Sequence, residues 1–183
     1  MILPKEHQDI FFENYFPLLH CAGIYEGILP ETASFKEMFY LDNPGKAACR
    51  KALFEDKSFL HYFKEDNKVI LKKDGAKLAF VNNVEKGLYG KFIFFKQNES
   101  GAVFLHADSG TFYEVTGITE PISKMSKNFP VVFETAIFNF KGKLICDGLI
   151  LTNQSVLLEP SMIETIESKY KEALKTGQVL KKI

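Results

Sequence analysis

Residues 91–118 read KFIFFKQNESGAVFLHADSGTFYEVTGI, and this stretch decides the fold class. Lys91 to Lys96 is a short apolar run, bounded by Gly90 and by the polar loop Gln97 to Gly101. Ala102 to Ala107 follows at hairpin distance. Asp108-Ser109-Gly110 turns the chain again, ahead of Thr111 to Ile118, which is rich in β-branched and aromatic residues. Short runs of this kind at regular spacing, with turn residues between them, predict antiparallel strands. Phe92 and Phe94 point to one side of the first strand, Ile93 and Phe95 to the other, so that strand is expected to be buried on both faces.

Working outward, Val131 to Phe140 (VVFETAIFNF) is the longest strand candidate and Lys141-Gly142 its turn. Lys143 to Leu151 returns, and Val156 to Leu158 is a last short strand. A helical segment near 120–128 interrupts the series. Pro160 and Ser161 open a C-terminal helix with Met162, Ile163, Ile166, Tyr170 and Leu174 apolar and Gly177 as the residue that stops it. Upstream the period is helical. Ile10, Phe11, Tyr15, Leu18 and Leu19 recur three and four apart, and Gly23 ends that pattern. Thr32 is placed to cap a short helix with Phe35, Met38 and Phe39, Asn43-Pro44 starts another, and Asp56 or Ser58 a third, with Phe59, Leu60 and Phe63 inward.

These patterns predict an α+β chain. A helical N-terminal part, residues 1–70, precedes an antiparallel β-sheet or small partly open barrel with a C-terminal helix, residues 71–183. The charged, turn-rich stretch 66–76 (DNKVILKKDGA) is the join. With no long Pro, Ser or Gly linker, the two parts are expected to pack as one compact unit.

Composition narrows the function. The 183 residues suffice to bury roughly 70% of the unfolded surface. There are 18 Phe and no Trp, which makes core filling the default use of the aromatic content. Basic and acidic residues balance at 23 each, and Arg50 is the single arginine. Nucleic-acid binders need a positive footprint and forked guanidinium contacts, so nucleic acid is not expected as a partner. Cys21, Cys49 and Cys146 are odd in number and form no CxxC, which suits unpaired thiols in a reducing compartment and no structural zinc. Charges at Lys5, Glu6 and Asp9 exclude an apolar leader core, and the longest uncharged stretch, Asn14 to Tyr25, is too short to span a bilayer. A cytoplasmic protein with no membrane contact and no cofactor is expected.

The chemistry-bearing residues are few. His106 and Asp108 share a strand face, and Glu114 lies one strand on; together they suit acid–base chemistry or a metal. Asp108 equally suits the turn it heads. His20-Cys21 sits at a helix end, where adjacent residues do not face each other. Asp147-Gly148 stands amid Leu144, Ile145, Cys146, Leu149 and Ile150. A carboxylate there needs donors. A bulge with the aspartate on backbone N–H groups, a tight turn and a ligand site are all open. No phosphate loop, GxSxG or HExxH occurs.

The segment Phe140-Lys141-Gly142-Lys143-Leu144-Ile145-Cys146-Asp147-Gly148-Leu149-Ile150 resembles the pattern F-K-[DG]-K-I-I-Y-D-G-L-[IL] of a family of uncharacterised bacterial proteins, some of which carry a SEC-C zinc-binding tail. The order Arg50…Leu53-Phe54-Glu55, Phe63-Lys64-Glu65-Asp66-Asn67, Gly90-Lys91-Phe92 and Tyr113-Glu114-Val115-Thr116-Gly117-Ile118 is similar as well, so the resemblance covers roughly residues 50–151. Here Cys146 replaces the usual tyrosine, and the cysteine-rich tail is lacking. The resemblance implies a shared fold and no activity.

The sequence thus favours a non-catalytic binding or protein-interaction module, with Asp147, Gly148, His106 and Asp108 as candidate binding residues. The alternative is a small enzyme using His106, Asp108, Glu114 and Asp147. The charge balance generates a first prediction. Binding to a mixed RNA or DNA pool at physiological salt is weak or absent in a filter-binding assay, and sub-micromolar affinity refutes it.

Overall fold

The computed structural model describes residues 1–124, 130–152 and 158–183. It is α+β, and it divides into two compact units, Pro4–Tyr89 and Met1–Leu3 with Gly90–Ile183. Each is described by itself.

Pro4–Tyr89 is helical: α1 (Lys5–Tyr25), α2 (Phe35–Tyr40), α3 (Asn43–Glu55), α4 (Lys57–Asp66), α5 (Lys68–Lys73) and α6 (Gly75–Glu85). Short polar side chains start most of these helices by accepting orphan backbone N–H groups. Asp42 accepts from the Gly45 N–H at 2.8 Å, Asp56 from Ser58 at 2.8 Å and Asp74 from Lys77 at 2.9 Å. Ser34 and Glu37 form a reciprocal capping box on α2. The caps of α2 and α3 therefore fall on Ser34 and Asp42, not on Thr32 and Asn43. Residues 66–76 hold helix, because Asp74 acts as a cap and not as a turn. The change from helix to strand comes at Leu88, not near residue 70.

α1 buries Phe11, Tyr15, Leu18, Leu19 and Ala22. It meets α3 at small residues: a Cβ added at Gly23 would lie 2.7 Å from Cys49 Sγ and 3.1 Å from Leu29 Cδ1. Arg50, fully buried, sets its guanidinium 5.2 Å from the centre of the Tyr89 ring.

In the second unit, β1 (Leu88–Gln97), β2 (Ala102–His106), β3 (Phe112–Val115), β4 (Val131–Phe140), β5 (Lys143–Cys146), β6 (Leu151–Thr152) and β7 (Val179–Leu180) form one sheet with α7 (Pro160–Lys175). Strand order is β5-β4-β1-β2-β3-β7, with β6 also on β4. The run β4-β1-β2-β3 has the strand order of a Greek key. β1–β2, β2–β3, β4–β5 and β4–β6 are antiparallel, while β7 joins β3 in parallel. Lys141 and Gly142, both at positive φ, make the two-residue turn between β4 and β5. The expected helical segment near 120–128 begins as a single 3-10 turn at Ile122–Lys124; residues 125–129 lie outside the described residues, as do 156–157 of the expected last strand.

The sheet curls. Phe104 of β2 touches Phe133 of β4 at 4.9 Å although β1 lies between those strands. Phe92 and Phe94 of β1 complete this inner layer against Phe104, each at 5.9 Å. The ends of the curl meet at a parallel bridge, Thr116 to Ile145, where the Thr116 N–H donates to Leu144 O at 2.9 Å and the Cys146 N–H to Thr116 O at 3.2 Å. The result is a partly open barrel. Its outer face is apolar too. Phe95, Val103, Leu105 and Phe112 pack under Ile166, Tyr170 and Ala173 of α7, so β1 is covered on both sides. The buried stripe of α7 is therefore narrower than the apolar pattern, and Met162 and Leu174 are exposed.

The α1–α3 contact generates a prediction. Gly23→Ala gains about 1 kcal/mol of helix propensity and loses about 1–3 kcal/mol to overpacking. It should lower the melting temperature, and the loss should shrink in a Cys49→Ala background. Equal losses in both backgrounds, read by thermal melts of the four proteins, refute the contact.

Candidate functional site

Strand register decides the fate of the expected trio. Val103 of β2 pairs with Glu114 and Phe104 with Tyr113. Opposed residues share a face and neighbours alternate. His106 lies on the inner face with Phe104, its ring 4.9 Å from Phe92, while Glu114 lies on the outer face. Glu114 is engaged there by Lys181 Nζ at 3.0 Å. Asp108 is exposed in the β2–β3 turn. His106, Asp108 and Glu114 are not brought together.

His106 is instead part of its own hairpin. The Ser109 N–H donates to His106 Nδ1 at 3.3 Å, and Ser109 Oγ lies 3.0 Å from that nitrogen. Nδ1 thus accepts, and the ring proton sits on Nε2. Ser109 Oγ donates to Thr111 Oγ1 at 3.0 Å. Thr111 also bonds the Tyr113 phenol, whose pKa burial pushes up while this hydrogen bond pulls it down. Gly110, at φ 67°, lets the turn close.

Asp147 and Gly148 lie between β5 and β6. Between the pairs Ile137–Cys146 and Glu134–Leu151, β4 supplies Thr135 and Ala136 while the other chain supplies Asp147, Gly148, Leu149 and Ile150. The excess is a bulge. Asp147 is buried, and its Oδ1 accepts from the Thr135 hydroxyl at 2.9 Å and from the Leu149 N–H at 3.1 Å. Its own N–H donates to Ala136 O at 3.0 Å. Gly148 holds φ 80°. Because Thr135 Oγ1 gives its proton to Asp147, the Cys146 thiol, 3.2 Å away, donates to Thr135.

The other thiols are held off reactivity. Burial pushes the pKa of both Cys21 and Cys49 up, away from the thiolate. His20 does not serve Cys21: its Nε2 lies 3.0 Å from the Ala33 carbonyl, to which it donates. Among the described residues no group of three or more His, Cys, Asp or Glu is placed to hold a metal ion.

That histidine leads to a surface the sequence pattern does not reveal. On α1, Phe12, Phe16 and His20 stand at successive four-residue steps. On α2, Phe35 and Phe39 do the same. The rings form one run: Phe12 on Phe16 at 5.2 Å, Phe16 on Phe39 at 5.2 Å, Phe39 on Phe35 at 5.1 Å and Phe35 on His20 at 5.9 Å. Phe35 and Phe39 are 41% and 49% exposed, and Tyr40 beside them 85%. Met38 takes the inward place on α2. The sequence carried no signal for this surface, since the i, i+3, i+4 spacing of Phe35, Met38 and Phe39 reads as one inward face, and of the three only Met38 is buried.

Compared with family models, with curated proteins and with solved structures, the chain matches none. Among the described residues no helix is long and apolar enough to cross a membrane.

The bulge generates a prediction. Asp147→Ala strands the Leu149 N–H and the Thr135 hydroxyl and should cost about 1–3 kcal/mol. Gly148→Val forces a branched side chain into left-handed backbone, at about 1–2 kcal/mol. An Asp147→Ala protein that melts at or above wild type moves Asp147 from fastener to ligand residue.

Proposed function

We propose that this chain is a non-catalytic, cytoplasmic protein-interaction module whose contact surface is the aromatic run of the helical unit. One observation carries the reading: Phe35 and Phe39 stand exposed in a continuous row of rings with Phe12, Phe16 and His20, and Tyr40, next in the chain, is exposed as well. Phenylalanine has no polar handle, so a row of such rings in water is covered favourably by another apolar surface. Aromatic anchors are also where binding energy concentrates in interfaces. His20 is tied to Ala33 O, and Lys46 donates to Phe39 O, so both ends of the contact are anchored to backbone. The partner proposed is another protein; neither nucleic acid nor a membrane is. The charge balance supports that choice, and so does α7, which covers the outer β2–β3 face that partly open barrels of this kind use for oligonucleotides. Kinship with the bacterial family that shares the D-G-L motif stays within this proposal as well. The enzyme alternative gains no observation, since its residues are separated or engaged in turns.

The test places a photo-reactive benzophenone amino acid at position 40 of the full chain in cells. Irradiation should give a discrete protein adduct that is lost when Phe35→Ser and Phe39→Ser are added and that does not arise from the same probe at position 141. No adduct at position 40, or one indifferent to the two serines, overturns the proposal.

A further inference from the structure

The β unit contains a cleft of about 560 Å3 where the β2–β3 turn, the last turns of α7 and β7 meet. That volume is within the range of small-molecule sites. Its floor is apolar, with Phe112 and Ala173 buried and Leu180 partly exposed at the side. Its mouth is flanked by Gly110 and Gly177, and a Cβ at either would stand in open space. Both glycines are needed for their turns, at φ 67° and 68°, and a by-product is that neither puts a side chain at the opening.

Four polar side chains line the cleft: Thr111, Lys169, Glu172 and Gln178. Among the described residues neither Lys169 nor Glu172 is in an ion pair; on this helix that role falls to Lys171 and Glu167, at 3.9 Å. Lys169 and Glu172 are three residues apart on α7, which sets their Cβ atoms about 5–6 Å apart. This arrangement discriminates between ligand classes. A purely anionic ligand meets Glu172, a purely cationic one meets Lys169, and a neutral apolar one desolvates both charges without replacing their hydration. A ligand carrying both charges on an apolar body satisfies the pair. A dipeptide is small enough for both long side chains to reach its two ends at once, because two extended residues span at most about 7 Å. The Gln178 amide, donor and acceptor at once, matches its single peptide group. Thr111, also in the lining, has its hydroxyl engaged by Ser109.

We propose that this cleft binds a free apolar dipeptide, its carboxylate on Lys169, its ammonium on Glu172 and its side chains over Phe112, Ala173 and Leu180. The site is independent of the aromatic surface.

The probe is the dipeptide Leu-Phe, titrated into the full chain and followed by the amide chemical shifts of Thr111, Ala173 and Gln178. Saturable shifts are expected. N-acetylation of the probe should weaken binding by about tenfold in wild type and leave it unchanged in Glu172→Gln. C-amidation should do the same in wild type and nothing further in Lys169→Gln, a charged hydrogen bond being lost in each case. Both replaced side chains are exposed, so the fold is retained. Failure of the three amides to shift at millimolar probe, or equal binding of the free and capped forms, overturns the proposal.

Discussion

The pair Thr116–Ile145 does what no local interaction in this chain does: it joins the C-terminal end of β3 to β5 and so closes the curl, while β7 takes the other end of that β3 edge. Two backbone hydrogen bonds make the join, but they are the consequence of curvature and not its source. The curvature is held from inside. Phe104 must reach past β1 to touch Phe133, and Phe92 and Phe94 fill the space on either side. Phenylalanine suits that interior because it supplies volume without a donor to satisfy. A tryptophan there would need a partner for its N–H.

Closure explains what happens outside the barrel. A curled sheet whose inner face is filled still shows water the other sides of the same strands, here Phe95, Val103, Leu105 and Phe112. α7 covers them with only Ile166, Tyr170 and Ala173, and Lys96 finishes the cover by lying 4.5 Å from the centre of the Tyr170 ring. β7 then follows α7 onto the free edge of β3, and Lys181 beyond it reaches Glu114. The cleft beneath Gly177 exists because the chain must leave α7 and turn back toward that edge.

The strands β1 to β5 were legible because their signals are local, whereas β7, two residues paired in parallel after a helix, was not. Lys141-Gly142, Asp108-Ser109-Gly110 and the run VVFETAIFNF each carry period and punctuation within a few residues. The helix caps were legible in kind and displaced by two residues or fewer, since Ser34, Asp42 and Asp56 compete with equally suitable neighbours. Residues 68–85 were not legible as helix, because Asp74-Gly75 reads equally as turn and as cap, and only the bond to Lys77 separates the two. The Thr116–Ile145 bridge left no trace, as nothing near either residue encodes a partner so far away in the chain. The trio of His106, Asp108 and Glu114 failed for a reason of parity. Two strands joined by a turn share faces according to the register that the turn sets. A turn one residue longer would have brought Glu114 to the side of His106.

That failure bears on function. The residues that look chemical in the sequence are the ones the fold consumes. His106 accepts from Ser109 and closes a hairpin, Asp147 accepts from Thr135 and Leu149 and closes a bulge, and Glu114 anchors Lys181. His106 and Asp147 meet backbone N–H groups that a turn and a bulge leave unpaired, whereas Glu114 stands in regular pairing opposite Val103 and meets a lysine. A polar residue amid apolar neighbours is therefore ambiguous in a small barrel, where turns and bulges are dense. The groups left over are of another kind. They are rings at the surface of α1 and α2, and opposite charges beside an apolar floor on α7. Neither arrangement activates a nucleophile or poises a proton, and both lower their free energy by being covered.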